Sequence, residues 1–362
     1  MSYPNDSTCA VSVIIPMYNA EKYIGECLKS LLMQTFQDFE VIVVDDCSTD
    51  KSADIVERYT PRFDGRLMFA STRTNSGGNG YIPRNLGLKL ASGEYVYFVD
   101  SDDFILNTAL ETLYNAAKEN DAEVVYSSAY YDMRRLNDIY LVQDAEHDNL
   151  LKQGIKDEPT LATDDADKNL QQLFIEDNYH TPWTRFVRRD FLLENEIEFP
   201  DLVTDGDFIW TVNVCSCAKK FVRLPVPLYF WRHYNDRALL NISGTPSEQI
   251  TYVVSAFIAW LKAFQELSSK TEFLRKNPAL CYLASASTFE SQLSLISKAI
   301  RPLRSNEIYD ILSNELSEES DTFRLTIAIL FSELVRWEKN SKVSQIKFAK
   351  LKEELGQRKG KE

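Results

Sequence analysis

The chain has no pair of cysteines at Cys-x-x-Cys spacing; its six cysteines, at 9, 27, 47, 215, 217 and 281, are scattered. Cysteines without such spacing read as reduced thiols of a cytosolic protein. A run of about 18 apolar residues, the length a membrane-spanning helix needs, is missing as well. So is an N-terminal basic-plus-apolar signal. The expectation is a chain that neither spans a membrane nor leaves the cell by that route. A basic excess is the third absence. The net charge of -14 argues against a general nucleic-acid binder, which carries a basic face. What is present is ordinary for a globular protein: 44% hydrophobic and 26% charged residues. At 362 residues the chain can bury a full core and divide into two domains.

One stretch organises the rest. Tyr95-Val96-Tyr97-Phe98-Val99 is an unbroken apolar and aromatic run, as expected of a strand covered on both faces in a parallel sheet. It leads straight into Asp100-Ser101-Asp102-Asp103. In open α/β sheets, ligands sit beyond the carboxyl ends of the strands, so these acids lie where a ligand would. Carboxylates this close repel one another unless a cation neutralises them. A hard ion such as Mg²⁺ or Mn²⁺ takes oxygen ligands and bridges them to phosphates. An acidic turn capping the next helix is the plainer alternative for an isolated Asp-x-Asp.

The preceding segments alternate strand and helix. Val11-Ser12-Val13-Ile14-Ile15 reads as a β-branched strand stopped by Pro16, with a loop over Met17-Tyr18-Asn19-Ala20. Ile24, Leu28, Leu31 and Leu32 share one helical face. Val41-Ile42-Val43-Val44 is a second buried strand ending in Asp45-Asp46, with Ser48 or Asp50 available to cap the helix that begins near Lys51. Leu67-Met68-Phe69-Ala70 is a weaker third strand, and Pro83 suits the first turn of a helix through Leu90. Such alternation predicts a parallel sheet with right-handed crossovers. Asn75-Ser76-Gly77-Gly78-Asn79-Gly80 lacks the third glycine of a dinucleotide fingerprint and does not follow the first strand. Its glycines either permit positive φ in a tight loop or let backbone approach a ligand. Arg84 beside them reads as a phosphate partner or a helix-surface charge.

Taken together, Val11–Asn19, Ser30–Phe36, Val43-Val44-Asp45-Asp46-Cys47-Ser48-Thr49-Asp50, Pro83-Arg84-Asn85-Leu86-Gly87 and Val99-Asp100-Ser101-Asp102-Asp103 resemble a family 2 glycosyltransferase. The ordered match covers about the first 130 residues. The resemblance implies a GT-A fold: a Rossmann-like nucleotide-sugar-binding domain with a mainly parallel sheet, here followed by an all-helical C-terminal region. It also implies inverting, nucleotide-sugar-dependent chemistry with Mn²⁺ or Mg²⁺. Pro16, Tyr18 and Asn19 would line the uridine pocket, and Asp46, with Asp45, would bind uracil or ribose. Asn75, Gly78 and Arg84 would run along the nucleotide and its diphosphate. Asp102 would be the main metal ligand, with Asp100 and Ser101 beside the ribose and donor sugar and Asp100 a further ligand. Asp103 is the family's common extra acid, or a cap.

In the second half, Glu123-Val124-Val125-Tyr126 is another strand, and residues 144–170 read as a polar, acidic surface excursion. Trp183, in His180-Thr181-Pro182-Trp183, reads as a sugar-stacking or a core tryptophan. Thr204-Asp205-Gly206-Asp207-Phe208 resembles the family's base segment, aligned on Phe208. This puts Asp205 at the catalytic aspartate and Thr204 where Glu is usual. That departure leaves Asp207 as the other candidate base, and an acid opening a helix is also what N-capping produces. In Leu228-Tyr229-Phe230-Trp231-Arg232-His233-Tyr234, the resemblance makes Arg232, His233 and Arg237 candidates to clamp the leaving diphosphate, with His233 either a metal ligand or a surface residue.

From Pro246 onward the pattern is helical, with apolar faces at Phe257, Trp260, Leu261 and Phe264 and at Ile327, Ile329, Leu330, Leu334 and Trp337. The tail from Ser341 carries seven Lys or Arg against three Glu, a face for anionic lipid or a frayed last helix. The expected division is a glycosyltransferase domain over 1–240 and a helical domain over 241–362 for acceptor binding or homo-oligomer formation. The expected protein is a cytoplasmic hexosyl- or N-acetylhexosaminyltransferase, with peripheral contact at the inner membrane face. Its donor is a UDP-sugar and its acceptor a glycan, a cell-surface polymer or a protein. The alternative is a catalytically inactive UDP-sugar-binding module.

Overall fold

A computed structural model of the chain describes residues 9–77, 80–135, 138–143, 160–162, 181–202, 205–232, 245–277, 296 and 305–317. Gly78, Thr204, His233, Arg237, residues 144–159 and 163–170 of the acidic excursion, the apolar face from Ile327 to Trp337 and the tail from Ser341 lie outside the described residues. Two compact units divide the chain. One joins Met1–Ala238 with Lys262–Ala284, and the other joins Leu239–Leu261 with Ser285–Glu362.

The first unit holds the sheet. Strands β1 (Cys9–Met17), β2 (Phe39–Asp45), β3 (Leu67–Ser71) and β4 (Gly93–Phe98) run parallel in the order β3-β2-β1-β4. Three helices form the crossovers: α1 (Ile24–Leu32), α2 (Ser52–Tyr59) and α3 (Tyr81–Leu90). β1 and β2 are buried along almost their whole length, as strands covered on both faces must be. β1 does not stop at Pro16: it continues to Met17, with Pro16 opposite Val44. Pro16 shares the parity of Ile14, whose carbonyl accepts from Val99 N on the β4 side. Pairing with β4 ends at Ile14 and Phe98, so the missing N–H falls where the neighbour has already turned away.

Beyond β4 the sheet is mixed, which corrects the expectation of a mainly parallel sheet. The next elements in chain order are the short β5 (Phe104–Ile105), helix α4 (Ala109–Glu119), β6 (Val124–Arg135), β7 (Asp138–Gln143) and β8 (Thr160–Ala162). They are followed by β9 (Arg185–Arg188), α5 (Arg189–Glu194), α6 (Gly206–Cys217) and β10 (Phe221–Arg232). β9 lies antiparallel between β4 and β6, while β10 runs parallel to β6 and antiparallel to β5. β9 begins near the end of β4, pairing Phe186 with Tyr97 and Arg188 with Tyr95, so it must run back along that strand. The main core packs α1, α4 and the β1–β2–β4 face against Phe186, Val222, Leu228 and Tyr229. A second layer stacks Phe98, Phe199 and Trp210 on the opposite face.

The described parts of both units beyond β10 are helical: α7 (Pro246–Lys270), α8 (Glu272–Lys276) and α9 (Ser305–Glu315). In the second unit Ile250, Val254, Phe257, Trp260 and Ile308 are buried, and Ser255 Oγ donates to Glu315. Phe264, in the first unit, packs on Phe208. Among the described residues no helix is long and apolar enough to cross a membrane, and Cys9, Cys27, Cys47, Cys215 and Cys217 are free thiols.

Candidate active site

The loops after β1 and β2 lock together through short polar side chains. Asn19, held at φ 47°, receives a hydrogen bond from Thr49 N at 2.8 Å and donates its own N–H to Ser48 Oγ at 2.9 Å. Asn tolerates that left-handed conformation better than most residues. The N-cap of α2 is Lys51, with no side-chain cap bond; Asp50, one residue earlier, accepts from Ser52 N (2.9 Å) at the first helical residue and from Glu21 N (3.0 Å), while Ser48 serves the Asn19 loop. Asp45 receives Ser48 N. Asp46, only 1% exposed, is saturated by the segment after β3: Thr72 Oγ1 at 2.8 Å, Ser76 N at 3.0 Å and Ser76 Oγ at 2.7 Å. Asn75 Nδ2 adds a bond to the Asp46 carbonyl at 2.7 Å. Tyr18 stays exposed, and Pro16 is buried beneath the loop.

Of the two readings of the glycine loop, the structure bears on the first, positive φ. Gly77 and Gly80 adopt positive φ, and a Cβ on Gly80 would meet Arg84 Nη1 at 2.9 Å. Arg84 is not a surface charge. It is 5% exposed, lies over the Phe199 ring at 5.5 Å, and bridges Asp100 Oδ1 (2.6 Å) and Asp207 Oδ1 (3.5 Å). Asp207 and Asp100 outweigh the cost of burial and hold the Arg84 guanidinium above its ordinary pKa, so it stays charged. Residues 84, 100 and 207, from three of the sequence motifs, thus meet in one charge chain.

Asp100, Asp102 and Asp103 bring carboxylate oxygens within 4.8 Å of one another. Ligands on opposite sides of a hard cation, each at about 2.0–2.6 Å, are no more than about 5 Å apart, so this cluster fits one ion. Ser101 is buried inside the turn. Asp103 is 1% exposed and its oxygens are occupied, by Tyr229 OH at 2.8 Å and Arg232 N at 2.7 Å. Burial, then repulsion from Asp102 and Asp100, raises its pKa well above the usual carboxylate range. Arg232 itself donates to Glu26 at 2.5 Å and lies between the Tyr23 and Phe104 rings, fastening β10 to α1. Trp183 is a core residue, 4% exposed and stacked on Tyr229 at 4.3 Å.

Asp205 sits at the start of α6 with φ 56°, and Asp207 lies in the first turn. Burial raises the Asp207 pKa to about 7, with Asp100 and Asp205 adding to the shift and Arg84 opposing it. Tyr81 fixes this helix start by accepting Gly206 N at 3.0 Å, and a Cβ on Gly206 would strike the Tyr81 ring at 2.9 Å. Tyr81 and Phe199 carry no local sequence signal, and Tyr229 stood in the sequence only as the tyrosine three residues before Arg232. Each looks like an ordinary core aromatic until the chain folds.

A model of glycosyl transferase family 2 matches residues 12–194. The poly(ribitol-phosphate) beta-glucosyltransferase of Bacillus spizizenii is 31% identical over 256 residues, 70% of this chain and 37% of that protein. The poly(ribitol-phosphate) beta-N-acetylglucosaminyltransferase TarS of Staphylococcus aureus is 55% identical over 108 residues, 29% of this chain and 18% of TarS. The chain therefore spans well under half the length of either relative. The crystal structure of S. aureus TarS 1-349 in complex with UDP-GlcNAc superposes with a TM-score of 0.53 at 27% identity, covering 84% of this chain and 81% of that one.

Proposed function

The chain belongs to glycosyl transferase family 2, and from that premise we propose that it transfers a hexose or N-acetylhexosamine from a UDP-sugar to a hydroxyl of a cell-surface polymer, inverting the anomeric centre. One observation carries the reading: Arg84 joins the Asp100 turn to Asp207 at the head of α6. On this reading the donor side, at Asp100, and the acceptor side, at Asp207, share one arginine. UDP-GlcNAc on TarS 1-349 and the poly(ribitol-phosphate) acceptors named for the relatives support the donor and acceptor classes.

The barrier to transfer is charge build-up on departing UDP and the weak nucleophilicity of a hydroxyl. Asp102 and Asp100 would hold Mn²⁺ or Mg²⁺, which supplies positive charge opposite the diphosphate when bound. Arg84, fixed and desolvated, adds charge that needs no reorganisation. Asp205 or Asp207 takes the acceptor proton as the hydroxyl oxygen attacks C1, and the C1–O bond breaks with its electron pair leaving on UDP. General-base help of this kind is worth about 10²–10⁴-fold. The turns carrying Tyr18, Asn19, Asp45, Asp46 and Asn75 form the uridine side. The helices of the second unit serve acceptor binding or self-association, which light scattering on the full chain decides.

Incubating the protein with UDP-GlcNAc, UDP-Glc and other UDP-sugars, with Mn²⁺ and with chelator, tests the reading through slow donor hydrolysis, which needs no acceptor. Release of UDP from one donor only, abolished by chelator, is the expected result. UDP binding without turnover of any donor would leave the inactive binding module instead.

A further inference from the structure

The turn that would hold the cation is not held by its own strand alone. Asp103 N closes it on Asp100 O at 3.0 Å, and a single phenol from a strand more than 120 residues later stitches both ends. Tyr229 OH accepts from Asp100 N at 3.1 Å and donates to Asp103 Oδ2 at 2.8 Å. A phenolic hydroxyl has one proton to give, and here it goes to Asp103. The ring is locked on its face by Trp183, 4.3 Å away at 13°, and Tyr229 is 1% exposed. Arg232 N fills the other Asp103 oxygen at 2.7 Å. The two acids nearer solvent differ: Asp100 and Asp102 are only partly buried, and Asp100 meets Arg84.

We propose that Tyr229 is a positioning residue for the cation-holding turn, and that Asp103 is the bracket through which it acts and not a ligand. Metal ligands are oriented by hydrogen-bonded neighbours, whose removal typically weakens metal affinity about 10–100-fold. Tyr229 sets where the backbone of Asp100 and Asp103 lies, and hence where the intervening Asp102 carboxylate is presented. The inference rests on the metal reading proposed above.

The test is direct Mn²⁺ binding by electron paramagnetic resonance on the full chain with UDP, beside UDP affinity in chelator and thermal unfolding. Tyr229→Phe keeps the ring stack and removes only the hydroxyl. It should weaken Mn²⁺ binding about tenfold, leave metal-free UDP affinity unchanged, and recover turnover at high Mn²⁺. Asp103→Asn keeps an acceptor for Arg232 N and should retain Mn²⁺ binding within about tenfold, whereas Asp102→Asn should abolish it. An unchanged Mn²⁺ affinity in folded Tyr229→Phe overturns the proposal. So does loss of binding in Asp103→Asn equal to that in Asp102→Asn, and this second variant decides alone if Tyr229→Phe fails to fold. Absence of Mn²⁺ binding by the unaltered protein would instead sink the metal reading itself, and this inference with it.

Discussion

The acids that end β2 and the acids that begin α6 are the same side chain in two situations. Asp46 is 1% exposed and accepts from Thr72 and Ser76, neutral donors that stitch one loop to another. Asp207 is partly exposed, meets Arg84 at a long 3.5 Å, and is pushed to a pKa of about 7 by burial beside Asp100 and Asp205. A carboxylate saturated by neutral donors is spent on architecture. One that is desolvated next to other acids and incompletely neutralised is available for proton chemistry. The contrast teaches which acids to mutate for rate and which for shape.

The largest effect should come from the cation turn. Chelation, or Asp102→Ala, should take donor hydrolysis below detection and weaken UDP binding in Mn²⁺. Activity in excess chelator would remove the metal from the scheme. Next in size is the base. Asp205→Asn or Asp207→Asn, whichever is the proton acceptor, should lower turnover by about 10²–10⁴-fold with UDP affinity nearly unchanged. A mere helix cap should tolerate Asn, which caps about as well as Asp. Near-normal turnover in both variants would break the comparison, because neither acid would then be chemical.

The third effect is in pH. If Asp207 is the base it must be ionised, so the rate should rise as pH passes upward through about 7 and level above it. Stability should run the other way. The folded pKa of about 7 lies above the ordinary aspartate value of 3.8, so Asp207 contributes most below that lower value and its contribution is lost as pH rises through about 7. Asp207→Asn should therefore raise the unfolding midpoint relative to the unaltered protein more at pH 8 than at pH 5. An equal shift at both pH values would deny the raised pKa.

The smallest effect belongs to the architectural acid. Asp46→Ala should cost about 1–3 kcal/mol of stability by leaving buried donors unmatched. It should weaken UDP binding several-fold through the displaced 72–76 segment, with turnover at saturating donor nearly intact. Thr72→Ala, removing one of those hydrogen bonds, should show about 1 kcal/mol and little else. A collapse of turnover in either would place Asp46 among the chemical acids.

Much of the first half was legible because its signals are local. The apolar runs at 11–15, 41–44 and 95–99 are strands whichever way their neighbours run, and the 24–32 periodicity is a helix face in any fold. The orientation of β9 was not legible. Whether Phe186 and Val187 lie parallel or antiparallel to β4 depends on the end of the sheet at which the chain re-enters. Arg84 was half legible: its place beside a glycine loop suggested an anion partner, yet the partners it found are Asp100 and Asp207. Trp183 read equally as sugar platform or core, and packing on Tyr229 and Tyr130 decided for core.

By itself the sequence determined where acids follow buried strands, and therefore that an α/β domain with carboxylates clustered at its strand ends would form. Hydrophobic period and strand-end chemistry are properties of consecutive residues. Only the tertiary structure decided which acids are free to act. That depends on donors supplied from far along the chain: Ser76 for Asp46, Tyr229 for Asp103, Arg84 for Asp207. A carboxylate's protonation and ligand-holding capacity are set by burial and by neighbouring charge, and neither exists until strands and helices distant in sequence are packed together.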